Sequence, residues 1–420
     1  MNTKWTLEQQ EVIGLRGCNM LVAAAAGSGK TAVLVERIIS RIMDHKKPVD
    51  VDRLLVVTFT NAAAGEMRER ILQALEQRLE EEPDNAHLQR QVSLVHHAKI
   101  TTIHSFCLDV IRNQFHRIGI EPGFRVGDEN ELRLLRQDVL EDLLEKKYLE
   151  GDADFLHFSE SFATGKADLE LEELVMKLYL FSMGQPDPEA WRKECCACYE
   201  LRSEEELMES DWMRVLLKKV RVRTEDMTGQ ARQALALCRT AGGPWMYEPA
   251  LEADLVILER LSDCSTYREY YEVLSAPVQW QALSRKKDPQ TDERKKEIVN
   301  TVRKQIKNEY KKLQDDYFYH EPSQLLQDIR ANAGIVRTLV GLTGEFEKAY
   351  ASAKAGKNLV DFNDLEHFAL RILVSFQDGS WVSSDIALEY ARQFEEVMID
   401  EYQDSNYVQE ILLGSVSGKG

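Results

Sequence analysis

No stretch of the chain is long and apolar enough to cross a bilayer, and residues 1–20 carry Glu8 and Glu11 without an apolar run. A secretory segment and a membrane partner are therefore not expected. Cysteine is sparse and irregular, with seven residues and no repeated spacing. Cys195-Cys196-Ala197-Cys198 lacks a second pair at ligand spacing, so it reads as surface or core thiols rather than half a metal site. These absences predict reduced thiols in a cytosol. Positive charge is short as well: 53 Lys and Arg against 71 Asp and Glu leave a net charge of −18. That balance argues against a protein that coats nucleic acid through bulk charge, while leaving room for a local basic track. Internal repeats and low-complexity tracts are also missing. What is present, 44% hydrophobic and 30% charged over 420 residues, is globular material sufficient for two or more domains.

The most informative stretch is Ala23-Ala24-Ala25-Ala26-Gly27-Ser28-Gly29-Lys30-Thr31. The apolar run Met20-Leu21-Val22-Ala23 leads into it, and the amphipathic segment 32–39 follows. Strand, small-residue loop and helix in that order are the setting of a phosphate-binding loop. Gly27 and Gly29 let backbone N–H groups turn inward around phosphate oxygens, and the helix start adds its positive end. Lys30 would supply a charge to the β- and γ-phosphates of a nucleoside triphosphate, and the Thr31 hydroxyl would ligate Mg²⁺. Ala24 stands where the general pattern has its first glycine. Upstream, Thr6 with Gln9 three positions on reads as a capped helix. Gln9 or Gln10 is a candidate for reading an adenine edge, and capping accounts for Gln9 equally well.

Further along, Leu54–Phe59 reads as a buried parallel strand and residues 60–82 as a helix. Phe59 at the strand end is a candidate stacking platform for a single-strand base. Thr60 and Asn61 stand where α/β sheets place their ligands, or cap that helix. In 99–107 a short strand runs into a helix, where His104 and Ser105 could meet a phosphate or serve the fold. From about 115 to 357 long amphipathic helices dominate, among them Glu129–Tyr148, Leu169–Phe181 and Ala231–Arg239. This pattern predicts a helical domain, residues 116–356, inserted into an α/β domain built from 1–115 and 357–420.

Within the insertion, residues 285–312 hold eleven Lys or Arg against Asp288, Asp292, Glu293, Glu297 and Glu309. Arg303, Lys307 and Lys311 repeat at four-residue spacing, with Lys304 beside them. Such a face could follow duplex phosphates or be a solvated helix surface. Near the end, Leu359–Leu365 leads into a predicted helix 366–376. Residues 394–399 then read as a buried strand ending in Asp400 and Glu401. Asp400 could hold Mg²⁺ opposite Thr31, Glu401 could accept the proton of an attacking water, and Gln403 could sense the γ-phosphate.

Taken in order, AAAGSGKT, TFTNAAAGEMRER, TIHSFC, DFNDL and IDEYQDS resemble the successive motifs of superfamily 1A helicases of the UvrD/PcrA/Rep type. The alanine-rich loop, the large insertion and the stretch after Arg285 are most similar to helicase/nuclease subunits of the AddAB type. The resemblance implies a fold class of α/β, with a P-loop NTPase (RecA-like) parallel sheet and an inserted all-helical domain. It implies ATP and Mg²⁺ as cofactors, with Lys30, Glu401 and Gln403 catalytic and Gln9, Ala24, Ala25, Ala26, Gly27, Ser28 and Gly29 on the nucleotide. It also implies single-stranded DNA at Phe59, Thr60, Asn61, His104 and Ser105, duplex DNA at the insertion and an AddB-like partner subunit. The activity implied is 3′-to-5′ translocation with unwinding, feeding double-strand-break repair in a bacterial cytoplasm. Two other readings compete with it, a UvrD-like repair helicase without a nuclease and a nucleotide-gated DNA-binding or assembly module. The family's second motor domain, with its γ-phosphate arginines, and its nuclease domain do not occur in the 420 residues. The sequence is accordingly expected to be the N-terminal part of a longer enzyme, binding ATP weakly and turning it over slowly alone.

Overall fold

The computed structural model describes residues 5–25, 27–44, 46–162 and 169–418, so Ala26 of the loop lies outside the described residues. The chain forms two compact units, Met1–Arg192 with Gly341–Gly420, and Lys193–Val340.

Among the described residues of the first unit seven strands form: β1 (Leu54–Thr58), β2 (Lys99–Thr102), β3 (Arg125–Val126), β4 (Leu359–Val360), β5 (Val374–Gln377), β6 (Ser380–Ser383) and β7 (Glu396–Ile399). The central sheet has the order β2-β1-β7 and is parallel throughout. β1 is buried along its length because both of its faces are covered. Leu54 and Val56 pack with Ile38, Ile42, Met67 and Ile71 on one side. Leu55 and Val57 pack with Phe106, Val110, Leu373 and Leu412 on the other. This division follows from the two-residue alternation of a strand. Because the three strands run the same way, their C-terminal ends share one edge of the sheet, where α/β proteins place ligands.

Three expectations change here. Residues 20–23 form no strand; Leu21 is 77% and Val22 43% exposed. An extended segment without a neighbouring strand makes no ladder hydrogen bonds, so apolar pattern alone does not make it one. The helix expected at 366–376 instead spans Phe362–Leu373. A reciprocal capping box of Asp361 and Asp364 starts it, and residues 374–377 enter the β5–β6 hairpin across Asp378 and Gly379, both at positive φ. Finally, the compact units do not divide at 116 and 356. β3 pairs with β4, Lys147 bonds Glu345, and Tyr179 packs edge-on against Phe346 and Tyr350. These contacts tie 116–192 and 341–356 to the sheet-bearing unit.

The described residues of the second unit are helical without strands. Helices Asp211–Cys238, Glu248–Ser262, Tyr267–Ser275 and Glu293–Tyr317 close on Met227, Leu258, Tyr267, Tyr270, Ile306 and Leu313. Arg303 belongs to this interior and not to a basic outer face. It is 5% exposed, and its guanidinium donates to both carboxylate oxygens of Asp254 at 2.5 and 2.9 Å and to the Gln281 carbonyl at 2.5 Å. Lys307 is half-buried with its ammonium 5.2 Å from the Trp280 ring centre, and burial, then the Arg303 charge, push its pKa down. Lys304 and Lys311 are the members of the expected face that stand exposed. A stripe at four-residue spacing on a packed helix has an inner side, and the residue with a buried carboxylate to meet is drawn there.

Candidate functional site

The site is assembled at the C-terminal edge of the β2-β1-β7 sheet. Gly27 and Gly29 sit at φ 77° and 84°, which only glycine adopts without strain, and Gly29 is the N-cap of helix Lys30–Ile42. No side chain caps that helix, so its first N–H groups are left for a ligand. Gln9 faces the loop, its Nε2 donating to the Ser28 carbonyl at 3.2 Å while its Oε1 accepts from Thr6 N at 3.0 Å. Gln10 turns elsewhere, donating to the Trp5 carbonyl. Ala24 and Ala25 are exposed, and Ala25 O accepts from Ser28 N at 3.2 Å.

Across from the loop, β7 delivers Asp400 and Glu401. Asp400 N bonds the Val57 carbonyl at 2.9 Å, anchoring the turn to β1. Glu401 takes a left-handed conformation at φ 55°, unusual for a residue with a side chain. Its carboxylate lies 3.7 Å from Lys30 Nζ and accepts from Gln403 Nε2. Burial, and then the neighbouring Glu401 charge, push the Asp400 carboxyl above its ordinary range, with Lys30 opposing. Two carboxylates thus face one ammonium, an arrangement short of positive charge. With the Thr31 hydroxyl at the start of the opposite helix, these donors suit a cation that keeps several waters and takes one or two carboxylates.

The other ends of the sheet carry the remaining candidates. Phe59, 65% exposed, follows β1, and Thr60 caps helix Asn61–Glu81 by accepting from Ala63 N at 3.1 Å, with Asn61 exposed. Thr60 therefore does serve as a cap. After β2, Thr102 caps helix Ile103–Ile118 and donates to the Ser105 hydroxyl at 2.9 Å. His104 stacks on Phe362, with ring centres 4.5 Å apart, and its Nε2 lies 2.9 Å from Glu366.

Spacing gave no sign of the polar groups behind this edge. Glu366, 2% exposed, lies on the face of helix Phe362–Leu373 that buries Leu365, Ala369, Leu370 and Leu373. A charged residue on an apolar face is the signal that could have found it. Nearby, the buried Lys354 ammonium lies 2.8 Å from Asp361, 2.6 Å from Asp364 and 4.3 Å from the Tyr350 ring centre. One cation cannot balance two buried carboxylates, so burial and the Asp361 charge push Asp364 up to about 6. The folded state holds that proton where the unfolded chain has released it. Its contribution is full below the ordinary Asp range and is lost as pH rises through about 6. Comparing thermal unfolding at pH 5.5 and 7.5, Asp364→Asn is expected to remove a stabilisation on acidification, on the order of a few degrees. An equal pH response in wild type and variant would refute it.

A parallel sheet with a glycine loop opening a helix, and an acidic pair facing its lysine, defines the class of P-loop nucleotide-binding proteins. The family model for the UvrD/REP helicase N-terminal domain matches residues 5–420, and the chain belongs to that family. It is 46% identical over 420 residues to the A subunit of the ATP-dependent helicase/nuclease of Lachnoclostridium phytofermentans, covering 99% of this chain and 30% of that protein. The proteins of the same name from Clostridium acetobutylicum and Desulforamulus reducens are 42% and 41% identical, each over 99% of this chain and 34% of theirs. The chain thus spans about a third of the length of the curated relatives it matches. No helix among the described residues is long and apolar enough to cross a membrane.

Proposed function

We propose that this chain is the ATP-binding portion of an ATP-dependent DNA helicase/nuclease, acting in double-strand-break repair beside an AddB-like partner. The observation that carries the reading is the meeting of Lys30 with Glu401, at 3.7 Å and beside Asp400, from opposite ends of the sequence. In this reading Gln9 and the loop from Ala24 to Thr31 hold ATP, and Thr31 and Asp400 hold Mg²⁺. The ion would neutralise phosphate charge during transfer. Glu401 would then accept the proton of the attacking water, and Gln403, which donates to Glu401, would sense the γ-phosphate and pass its state on.

Phe59, Thr60, Asn61, His104 and Ser105 line the same sheet edge and form the track for a single strand, with Phe59 stacking a base. The RecA-like motor half lies within the sheet-bearing unit, and the helical unit of residues 193–340 receives duplex through Lys304 and Lys311, with Lys307 at its margin. Placing bases and nucleotide along one edge lets hydrolysis be read as movement, 3′ to 5′.

The test is ATP turnover by the natural-length protein with and without oligo-dT. At least tenfold stimulation by the single strand is expected, and turnover indifferent to DNA would refute the reading. For the duplex, replacing Lys304 and Lys311 by Glu is expected to lower the slope of log affinity against log salt by about 2. An unchanged slope would remove the helical unit from the DNA path.

A further inference from the structure

Glu366 is a deeply buried carboxylate for which the proposed chemistry has no use, yet three hydrogen bonds from two other helices converge on it. His104 Nε2, at the start of helix Ile103–Ile118, lies 2.9 Å from Oε1. Gln409 Nε2, from helix Tyr407–Ser415, donates to the same oxygen at 2.7 Å, and Asn406 Nδ2 donates to Oε2 at 3.1 Å. Burial alone would raise the carboxyl's pKa. The bonds from His104, Gln409 and Asn406 outweigh it and hold the group below its ordinary range. An ionised carboxylate only accepts, so the proton of the His104–Glu366 bond sits on Nε2, and the imidazole is fixed in tautomer and orientation.

The two sets of donors belong to different helices. His104 belongs to the proposed single-strand track, where its ring lies against the half-exposed Phe362. Asn406 and Gln409 belong to the nucleotide side. Asn406 follows Glu401 by five residues, through the short turn Tyr402–Asp404. It also caps the next helix, its Oδ1 accepting from Gln409 N at 2.8 Å. The short turn offers a covalent route by which a displacement of Asp400–Gln403 would reach Asn406. A buried carboxylate is costly to leave short of donors, so a shift of one partner would be penalised unless the others followed.

We propose that Glu366 is a positioning residue that couples the nucleotide site to the single-strand site by tying His104 to the segment after Glu401. This rests on the functional reading above and adds to it the route by which the two ligands sense each other. Coupling of this kind is reciprocal and is read as a ratio of affinities.

The experiment measures binding of fluorescein-labelled oligo-dT by the natural-length protein, with and without Mg²⁺ and a non-hydrolysable ATP analogue. In wild type the analogue is expected to change the oligo-dT Kd by at least about fivefold. Glu366→Gln keeps the volume but presents an amide N–H where one donor needs an acceptor. It is expected to bring that ratio within about twofold of one while the analogue's own Kd without DNA is unchanged. Glu366→Asp, which keeps the charge, should restore part of the ratio. If Glu366→Gln does not fold, Gln409→Ala replaces it, since it removes a donor on the nucleotide side only and must also lower the ratio.

A wild-type ratio in either folded variant overturns the proposal. So does a fall in the ratio accompanied by an equal loss of analogue affinity, which marks a merely structural role. A wild type that binds oligo-dT but ignores the analogue overturns this coupling and leaves the functional reading standing. One that binds neither ligand overturns both.

Discussion

Replacing Lys30 with alanine in the natural-length protein is expected to reduce ATP turnover by at least about a hundredfold while leaving its melting temperature unchanged within error. The two halves of this expectation have separate grounds. Lys30 is partly exposed and, among the described residues, makes one ion pair, to Glu401 at 3.7 Å, so the fold loses little with it. Its position one residue after Gly29, at the open start of helix Lys30–Ile42, puts its ammonium where phosphate charge would collect. Without it, the two carboxylates of Asp400 and Glu401 face a polyphosphate with no fixed cation between them. Turnover within tenfold of wild type would sink the assignment of this loop. A matching loss of thermal stability would show instead that the lysine serves the fold.

The second large effect is on stability and lies in the helical unit. Arg303→Met leaves the Asp254 carboxylate, 1% exposed, without its bidentate partner and the Gln281 carbonyl without a donor. Breaking a buried pair from one side costs about 3–5 kcal/mol, so the unfolding transition of residues 193–340 should fall by on the order of 10 °C. Pairing Arg303→Met with Asp254→Leu removes the stranded charge and should recover most of that loss. Circular dichroism melts of the single and double variants measure both steps. A single variant that melts with wild type, while its duplex affinity drops, would return Arg303 to the DNA-facing surface.

Local sequence carried much of the site. GSGKT announces a loop that needs positive φ and a lysine at a helix start, because glycine's freedom and the helix terminus are properties of a few adjacent residues. The buried β1, the capping of helix Asn61–Glu81 by Thr60 and the Thr6–Gln9 box were legible for the same reason. The acidic pair after β7 gained its meaning only beside GSGKT, since an apolar run ending in two acids can equally well lead into a helix cap.

What pattern could not decide was where a charged side chain finds its partner. Arg303 and Lys304 are neighbours in a basic run, yet one is drawn inward by Asp254, forty-nine positions away, and the other faces water. Met20–Ala23 reads like a strand and lacks a neighbour to pair with, whereas Val374–Gln377 reads like the end of a helix and is claimed by the hairpin strand β6. Glu366 looks like one more surface acid until His104, Asn406 and Gln409 are brought around it. Composition and spacing thus determined the loop's conformation and the kinds of element, because these depend on backbone freedom and side-chain periodicity over a few residues. Only the tertiary structure decided which polar groups are buried, since burying a charge is tolerable only where remote residues supply its donors or its opposite charge.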